Sequence, residues 1–376
     1  MKSFSVSSKE FSKMLNKLIA VVPKKATLPI ISYALFEVDS KESVLKGRAT
    51  NLEVQLDTKC TIALPDDDFK FIMEPGEINT MLKKFPEQPV TISYDETKII
   101  LRVDGKKYEF PTIPDFADFP QTLDKDVKDV RTFEVETDAF FNIFDKAMNT
   151  VANDDLRPIM NGVCVKDHNG QTCVISTDAR LLSLYNIDIE MPKTAFIIPK
   201  IVKPMLKIIA LEEKCNINVS DKYVSIEGKD KLIFRTIEGN YPDAHSVIPN
   251  IDNAIHIVTI ETEVLRAAID RLSLVAENNY VKFFFAPKGD VLSLEAKNID
   301  KSKFGEEFIE QVTIDSKVDE DCSFGLNPMK LLQLMQNFTF SEVNLFFFDS
   351  GKPIIFKPAN VNHDDSTFLL MPMMMS

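Results

Sequence analysis

The sequence predicts an α+β protein built from three copies of one unit, each with two helices packed on antiparallel sheets. The first observation is a strand pattern that changes into a helix pattern, and it occurs three times. The second is a short apolar run that leads through a proline into another helical pattern. It occurs once after each of the three strand-to-helix patterns. The third is that the two features alternate with a period of roughly 125 residues, a normal domain size. Chance similarity among amphipathic segments would not keep both the order and the period.

The first feature comprises the stretches FSVSSKEFSKMLNKLIAVV, FEVETDAFFNIFDKAMNTV and VTIETEVLRAAIDRLSLVA, which begin at Phe4, Phe133 and Val258. Apolar residues alternate at first, as in a strand, and then recur at spacings of three and four, as in a helix. The aligned position between the two patterns holds a hydroxyl in every copy: Ser8, Thr137 and Thr262. A hydroxyl there can accept a hydrogen bond from the first helical turn, so we predict that these side chains cap the helices.

The second feature comprises FIMEPGEINTMLKKF, FIIPKIVKPMLKII and FGLNPMKLLQLMQNF, which begin at Phe71, Phe196 and Phe324. Proline suits the first helical turn, where no amide donor is lost, and this predicts helices that begin at Pro75, Pro199 and Pro328. Strand-like text follows each helix, which gives two helices and about eight strands per copy. Coil-rich joints near Asp115–Arg131 and Asn250–Asn253 predict three domains, at residues 1–121, 122–249 and 250–376.

The composition is that of a folded globular protein, with 44% hydrophobic and 27% charged residues. No uncharged apolar run approaches the length of a membrane helix, and the N-terminus lacks the apolar core of a signal peptide. The cysteines are scattered and odd in number: Cys60, Cys164, Cys173, Cys215 and Cys322. These features predict a cytoplasmic protein with reduced, mostly packed thiols. His168 lies four residues after Cys164, but a closed zinc site needs four ligands, so we expect no metal and no cofactor.

The formal net charge of −13 argues against coating of nucleic acid by bulk attraction. Basic residues nevertheless gather on the predicted helices. Lys9, Lys13 and Lys17 form one stripe, and a second stripe consists of Lys200, Lys203 and Lys207, from which Ile201, Met205 and Ile208 turn away. Other helices or their ends carry Lys24, Lys25, Lys83, Lys84, Lys146, Arg266, Arg271 and Lys330. A solvated polar face explains any single stripe, but helices gathered on one side of repeated domains would make a basic wall.

No reaction centre is visible in the sequence. None of the 11 glycines forms a phosphate-binding loop, and there is neither a nucleophile elbow nor a zinc-protease helix. Acidic runs at Asp66–Asp68, Glu306–Glu307 and Asp319–Asp321 lie in predicted loops, and we interpret them as solvated turns rather than catalytic pairs. The sequence therefore predicts no catalytic residue.

The repeats, the basic helices and the uncharged end TFLLMPMMMS together resemble the beta subunit of bacterial DNA polymerase III, the sliding clamp family. The resemblance runs along essentially the whole chain. Its local motifs are TLPII at Thr27–Ile31, ATNLEVQ at Ala49–Gln55, DFADFP at Asp115–Pro120, LRPIMNGV at Leu156–Val163, STDARLLSL at Ser176–Leu184 and GNYPDAHSVIP at Gly239–Pro249. Each motif is weak alone, and their common order and spacing make the resemblance specific.

The resemblance implies a homodimer in which two three-domain chains close a six-domain ring, with helices inside and sheets outside, around duplex DNA. Such a clamp is a non-catalytic processivity factor, and its topological link to DNA needs only weak lysine contacts to phosphate. The DNA-facing residues would be Lys9, Lys13, Lys17, Lys24, Lys25, Lys83, Lys84, Lys146, Lys200, Lys203, Lys207 and Arg266. The ring joint would set Tyr108 and Phe110 against Leu272 and Leu274 of the other chain.

The resemblance also implies an apolar pocket between the second and third domains, where partners insert a short peptide. These partners would be the polymerase III catalytic subunit, the clamp loader, and repair polymerases, mismatch-repair proteins and ligase. The pocket would comprise Met160, Thr177, Ala179, Arg180, Leu182, Pro242, Val247, Asn327, Leu369, Leu370, Met371, Pro372 and Met373. Methionine suits such a wall because its flexible thioether can repack around different peptides.

The chain departs from the family pattern in two places. The usual TDGHRL is Thr177-Asp178-Ala179-Arg180-Leu181-Leu182 here, so Arg180 and Leu181 replace a histidine–arginine pair. The arginine that usually follows MPM is Met374. Both changes predict a more apolar pocket and an altered preference for partner motifs.

Two other functions remain open at this point. A metal-dependent nucleic-acid enzyme would use loop carboxylates and magnesium, and it would turn over substrate only with a divalent ion. A protein-only repeat scaffold would not be retained on closed circular DNA. Basic helices in all three copies and the lack of a catalytic motif favour the clamp over both.

Overall fold

The computed structural model describes residues 2–113, 117–125, 128–189, 191, 195–209, 212–277, 279–300, 302–349, 351–360 and 365–375. Asp115, at the start of the first predicted joint, lies outside these ranges. The chain forms two compact units, of which unit 1 comprises Met1–Phe140 and Ile201–Thr236, and unit 2 comprises Phe141–Lys200 and Ile237–Ser376.

The described residues of the first sequence repeat form eight strands and two helices, as predicted. The strands are β1 (Lys2–Ser7), β2 (Ala34–Asp39), β3 (Val44–Thr50), β4 (Val54–Thr61), β5 (Phe69–Met73), β6 (Pro89–Asp95), β7 (Lys98–Val103) and β8 (Lys106–Pro111). The helices are α1 (Ser8–Val21) and α2 (Pro75–Leu82), and a 3-10 helix covers Pro29–Ser32.

In the described part of the second repeat there are also eight strands. They are β9 (Arg131–Glu136), β10 (Gly162–His168), β11 (Gln171–Thr177), β12 (Leu181–Ile187), β13 (Ala195–Pro199), β14 (Lys214–Val219), β15 (Tyr223–Glu227) and β16 (Lys231–Arg235). Its helices are α3 (Thr137–Ala147), the one-turn α4 (Lys203–Leu206) and the one-turn α5 (Ala244–Val247), with 3-10 helices at Pro158–Met160, Lys200–Val202 and Ile251–Asn253.

The third repeat adds a ninth strand, which carries the apolar end of the chain. Its strands are β17 (His256–Glu261), β18 (Val281–Phe285), β19 (Val291–Lys297), β20 (Phe304–Glu310), β21 (Thr313–Ser316), β22 (Cys322–Leu326), β23 (Glu342–Phe347), β24 (Ile354–Pro358) and β25 (Ser366–Leu370). Its helices are α6 (Thr262–Ala276) and α7 (Pro328–Met335).

Antiparallel sheets run across the repeat boundaries. Unit 1 holds a four-stranded sheet, β1-β6-β7-β8, and an eight-stranded sheet, β5-β2-β3-β4-β16-β15-β14-β9. Unit 2 holds a nine-stranded sheet, β13-β10-β11-β12-β25-β24-β23-β17-β21, and a four-stranded sheet, β20-β19-β18-β22. The β4–β16 and β12–β25 pairings divide the middle repeat between the units. This is why three sequence repeats give two compact units.

Helix α1 shows how a helix is fixed on its sheet. Phe11, Leu15 and Leu18 have no exposed surface and recur at helical spacing, so one face of α1 is buried against β3 and β4. Each such side chain contributes about 1.5–3 kcal/mol by leaving water. Gly47 in β3 allows the close approach, because a Cβ there would lie 2.4 Å from Met14 Cε.

The predicted hydroxyl caps are wrong, although the helices begin at the predicted residues. Helices α1, α3 and α6 start at Ser8, Thr137 and Thr262 themselves. Ser7 and Glu261 occupy the N-cap positions of α1 and α6, and neither side chain caps. The strand runs directly into the helix without a loop, so the aligned hydroxyl already lies in the first turn. Ser8 Oγ instead accepts a hydrogen bond from the Gln88 N–H at 3.0 Å.

Two of the three predicted proline starts are confirmed. Pro75 and Pro328 are the first residues of α2 and α7, capped by the Glu74 carboxylate and the Asn327 side chain. Pro199 instead ends β13 and is followed by a 3-10 helix and the one-turn α4. Pro204 lies in the first turn of α4, and a proline there cannot continue an N–H hydrogen bond from the preceding turn.

The short α4 also changes which of its side chains are buried. Ile201 and Ile208, which the helical pattern turns away from the lysines, are 43% and 37% exposed. Met205, the third residue of that predicted face, is buried, and Val202 is buried as well. The predicted single helix over this segment is therefore wrong.

Candidate partner-binding groove and basic helix surface

The first part of the apolar end is a core strand. Strand β25 lies between β12 and β24, with Leu369 opposite Leu182 and Leu370 opposite Leu181. Leu369 and Leu370 are 4% and 1% exposed, and Leu369 and Leu182 belong to one apolar cluster. These leucines are thus placed by the sheet, and they form the floor on which the following residues rest.

The residues after Leu370, which we call the tail (residues 371–375), leave the core but stay attached to it. The Met371 N–H donates to the Arg180 carbonyl at 2.9 Å, and the Met373 N–H donates to the Gly325 carbonyl at 2.8 Å. The second bond makes a bridge to β22, at the edge of its sheet. Met371, Met374 and Met375 are 38%, 97% and 42% exposed. The tail therefore presents methionine side chains on an ordered backbone.

Glycine at position 325 lets the tail lie close to the sheet. A Cβ there would meet the Tyr280 ring at 3.0 Å and Met375 Cγ at 3.1 Å. Ser323 Oγ also lies 3.9 Å from Met375 Sδ. Sequence reasoning did not assign Tyr280 or Gly325 to the groove, because they lie far from the tail in the chain and carry no motif.

The turn beside the tail is held by a repeated set of hydrogen bonds. Thr177 Oγ1 donates to the Leu181 carbonyl at 2.6 Å and accepts from the Ala179 N–H at 3.1 Å. In the first repeat Thr50 Oγ1 likewise donates to the Val54 carbonyl at 3.0 Å and accepts from the Leu52 N–H at 3.0 Å. The third residue of both turns is left-handed, with φ of 73° at Ala179 and 76° at Leu52. The shared geometry confirms the internal repeat at the level of single bonds.

Residues Thr177–Leu182 and their neighbours form one wall of the groove. The Asp178 carboxylate accepts the N–H groups of Arg180 and Leu181 at 2.9 and 2.7 Å. Thr177 and Leu182 are 5% and 4% exposed, so these two predicted pocket residues lie beneath the groove surface and support it. Arg180 is exposed, and its carbonyl holds Met371.

The opposite wall comes from the segments around Met160 and Pro242. Their neighbours Ile159 and Tyr241 pack against the same apolar cluster as Leu182 and Leu369. Met160 and Pro242 are themselves half-buried. Val247, at the end of α5, is 52% exposed. The structure thus gathers these predicted pocket residues around one apolar floor.

Tyr241 is a groove residue that sequence reasoning missed, although it stands in the quoted motif GNYPDAHSVIP. Its hydroxyl accepts from the Thr177 N–H and donates to the Gly162 carbonyl, both at 3.1 Å. Burial raises the pKa of Tyr241, which keeps the hydroxyl neutral and able to donate. The sequence did contain an indication of this buried position, because Tyr241 is a large aromatic residue next to a proline within a polar stretch.

Asn327 has a structural task that its predicted role did not include. Its side-chain oxygen accepts the Lys330 N–H at 2.9 Å and caps α7. Its NH2 group points to no partner in the described part of the chain and could donate to a ligand. Lys330 Nζ reaches the Asp178 carboxylate at 2.6 Å, so α7 and the turn before β12 are tied together.

The predicted DNA-facing stripe on α1 is partly neutralised within the chain. Lys9 pairs with Glu87 at 3.2 Å and Lys13 with Glu10 at 2.7 Å, and these pairs are exposed. Lys17 is different, because its side chain is only 19% exposed and bonds the buried Asp230 carboxylate at 2.8 Å. Exposed pairs are weak and can exchange for phosphate, whereas Lys17 is held in the structure.

Other predicted DNA-facing residues differ in their freedom. Lys83 donates to Asn16 and Lys146 to Thr339, both at 3.1 Å. Arg266 bonds Glu263 and the Met335 carbonyl. Lys203 is half-buried and Lys207 is exposed. Within the described ranges, the exposed lysines whose side chains bond no other residue include Lys24, Lys25, Lys84 and Lys200.

The predicted dimer residues lie at or near sheet edges. Tyr108 and Phe110 are half-buried in β8, which is the last strand of its sheet, and the Tyr108 ring packs edge-on against Phe85 at 6.0 Å. Leu274 is 77% exposed. Leu272 is only 2% exposed, and it packs inside its own chain near Gly305. Of the two leucines, Leu274 alone offers surface to another molecule.

The acidic runs are not all in loops. Glu306 and Glu307 lie within β20, and Glu307 pairs with Arg271 at 2.6 Å. Phe304, Glu306 and Phe308 share the exposed face of β20, whereas Glu307 lies on the opposite, more buried face. The adjacent glutamates break the apolar alternation that would predict a strand. Asp66 accepts the Ser3 N–H at 2.8 Å, as expected of a structural turn.

Thiols and histidines show ordinary packing. All five cysteines are free, and burial raises the pKa of the Cys60 and Cys164 thiols to about 12. His168 stacks on His245 at 3.5 Å between ring centroids. Across the described part of the chain, no group of three or more His, Cys, Asp and Glu side chains is arranged to hold a metal. None of the described helices is long and apolar enough to cross a membrane.

Comparison with known proteins gives one consistent result. Models of the DNA polymerase III beta subunit match the N-terminal domain at residues 1–124, the central domain at 134–243 and the C-terminal domain at 245–374. The beta sliding clamp of Pseudomonas putida KT2440 is 22% identical over 98% of this chain and 99% of its own. That of Bacillus subtilis is 22% identical over 95% and 96%.

Solved structures show the same fold. The DNA polymerase III beta subunit of Pseudomonas aeruginosa superposes with a TM-score of 0.89 at 20% identity, covering 99% of this chain and 100% of that one. The beta chain from Streptococcus pneumoniae gives a TM-score of 0.90 at 18% identity, with all of both chains covered. These likenesses confirm the α+β fold of three repeated domains.

Proposed function

Because the chain belongs to the DNA polymerase III beta-subunit family, we propose that it is a sliding clamp, a non-catalytic processivity factor for DNA replication. Two copies would close a ring of six domains around duplex DNA. The observation that carries this proposal is the tail, which the Met371 and Met373 backbone bonds hold beside an apolar floor. This arrangement suits a protein whose task is to hold partners.

The charge distribution supports topological rather than adhesive binding. The chain has a net charge of −13, and several basic residues on its helices are already paired with carboxylates. A few unpaired lysines such as Lys24, Lys84 and Lys200 suffice for weak phosphate contacts, which release few ions and permit sliding. Retention then depends on the closed ring.

The groove would bind a short peptide by its apolar side chains. Buried Leu182 and Leu369 form the floor, and Met371 and Val247 offer exposed apolar surface beside it. Methionine can repack around different sequences, which suits several partners that share one site. We propose that the partners are the polymerase catalytic subunit, the clamp loader and other proteins with clamp-binding motifs.

The two sheet-edge strands would form the ring joint. Strand β8 lies at one edge of its sheet and carries Lys106 and Lys107, while β20 lies at an edge of another sheet and carries Glu306 and Glu310. Edge strands have unpaired backbone groups that can extend a sheet into another chain. Opposite charges on the two edges favour β8 of one copy beside β20 of the other, with two equal joints per dimer.

We further propose domain boundaries at residues 1–121, 122–249 and 250–376, and action in the cytoplasm. The family-model matches, which divide the chain at nearly the same places, support these boundaries. The family is that of a non-catalytic clamp, so neither the metal-dependent enzyme nor the protein-only scaffold gains support.

Retention on DNA of different topology tests the proposal. The protein is loaded on a nicked circle by a bacterial clamp loader and followed by gel filtration before and after the circle is cut once. We expect the protein to stay on the circle and to leave the linear form. Sedimentation should give twice the chain mass of 42.6 kDa. Equal retention on both forms would contradict a ring.

A further inference from the structure

Unit 1 has a cavity of about 330 Å³ on the outward face of its eight-stranded sheet, away from α1. Two rows of cross-strand neighbours form its floor. One row runs Lys70–Glu37–Lys46–Lys59, and the other runs Leu35–Arg48–Asp57–Lys231. The turn between β15 and β16, with Lys229, lines one side. Six basic side chains therefore line one cavity in a chain whose net charge is −13.

Most of these charges are paired. Lys70 bonds Glu37 at 3.0 Å, and Arg48 grips the Asp57 carboxylate with Nε at 2.6 Å and Nη2 at 3.3 Å. Lys46 is neutralised by Asp39. Lys231 bonds both Asp124 at 2.7 Å and Glu227 at 2.8 Å. The positive charges of Lys70, Arg48, Lys46 and Lys231 are therefore compensated by carboxylates.

Two ammonium groups remain without a partner. Among the described residues, nothing bonds the side chain of Lys59 or that of Lys229, and both are exposed. Lys59 is also the direct cross-strand neighbour of Lys46. Two unpaired ammonium groups at one cavity favour an anionic ligand.

We propose that this cavity binds an organic phosphate of about mononucleotide size. Its volume is at the lower end of the range for small-molecule pockets. The ammonium groups of Lys59 and Lys229 would hold the phosphate as point charges. The organic part would lie along Leu35 and the aliphatic stem of Lys46. The site is independent of the peptide groove, which lies in unit 2, and of the clamp function proposed above.

Calorimetric titration of the 376-residue protein tests this site with adenosine monophosphate as the probe and adenosine as the uncharged control. The double variant Lys59→Ala/Lys229→Ala should bind the monophosphate at least tenfold more weakly. The matched control Lys41→Ala/Lys222→Ala removes two exposed lysines that lie outside the cavity. It should bind like the parent. Unchanged affinity in the first variant, or binding of adenosine as tight as that of the monophosphate, overturns the proposal.

Two further measurements separate this site from other basic surfaces. Lys200→Ala/Lys203→Ala/Lys207→Ala should retain binding of the monophosphate, because these residues lie outside the cavity. A loss in that variant would assign the binding to the helix surface and overturn the proposal. A glutamate-rich peptide should fail to displace the monophosphate, and displacement at equal concentration would assign the cavity to acidic peptides instead. Binding should weaken as salt increases, since the holding charges are exposed.

Discussion

Lys330 Nζ lies 2.6 Å from the Asp178 carboxylate and joins α7 to the turn that precedes β12. The Asp178 side chain is 10% exposed and the Lys330 side chain 33%. The other carboxylate oxygen already accepts the Arg180 and Leu181 N–H groups. One side chain thus shapes the turn and anchors it to a helix of the following repeat. The same turn carries Arg180, whose carbonyl accepts the Met371 N–H.

Replacing Asp178 with asparagine should destabilise the turn. The variant Asp178→Asn loses a partly buried ion pair, and we expect the free energy of unfolding to fall by about 1–3 kcal/mol. Urea unfolding followed by circular dichroism measures the change. Glu10→Gln, which breaks the exposed pair with Lys13, should leave stability unchanged. Equal stability of Asp178→Asn and the parent would show that the bond is dispensable.

Replacing Ala179 with glycine should stabilise the chain. Alanine is strained at φ 73°, where glycine is not, and relief of this strain should add about 0.5–1 kcal/mol in the variant Ala179→Gly. Ala195→Gly is the matched control, because position 195 has no left-handed backbone and should lose stability instead. Thermal unfolding midpoints of the three proteins are compared. A lower midpoint for Ala179→Gly would contradict the strain argument.

Deleting residues 371–376 should abolish peptide binding and leave the dimer intact. Each apolar side chain that a bound peptide buries against the tail is worth about 1.5–3 kcal/mol. Losing two or three such contacts turns micromolar binding into none detectable. Fluorescence anisotropy of a labelled peptide with a Gln-x-Leu-x-Phe-like motif measures the loss. Met374→Ala, at a 97% exposed side chain, should keep the affinity. Unchanged binding after the deletion would mean that the tail takes no part in the groove.

The second lysine stripe should contribute to DNA contact. The variant Lys200→Ala/Lys203→Ala/Lys207→Ala should bind DNA more weakly, and the slope of log K against log salt should fall by up to about 3. Dimerisation should be unaffected, because the three lysines lie on neither of the proposed joint strands β8 and β20. Binding to a short duplex is measured over a range of salt concentrations. An unchanged slope would show that the stripe does not face DNA.

An acidic side chain at Leu274 should weaken the ring joint. Leu274 is 77% exposed, so Leu274→Asp should fold normally while placing a charge in the proposed interface. We expect the dimer dissociation constant to rise at least tenfold, as when an apolar anchor is lost. Val264→Asp alters another exposed residue of α6 and should leave the dimer intact. Sedimentation of dilute samples measures both, and an unchanged constant for Leu274→Asp would place the joint elsewhere.

The repeated units, the starts of α1, α2, α3, α6 and α7, and the apolar end that becomes β25 and the tail could all be predicted from the residues. These features are local, because the spacing of apolar residues and the placement of proline act within a few turns. The prediction of one helix over Lys200–Ile208 was wrong because Pro204 has no N–H to donate to a backbone hydrogen bond of the helix. The spacing of apolar residues carries no information about that missing donor.

How the repeats share their sheets is visible only in the folded chain, and this sharing positions the groove residues. Strand β12 pairs with β25, and β4 pairs with β16, in different sequence repeats. The apolar periodicity within a repeat does not predict pairing between repeats. Lys17 meets Asp230 from 213 positions away, so a residue on a predicted basic stripe became half of a partly buried pair. Leu272 faces the core while Leu274 faces outward. These pairings and contacts form because packing of the sheets brings residues that are distant in the chain within a few ångströms of each other. Residue spacing along the chain does not give those distances in space.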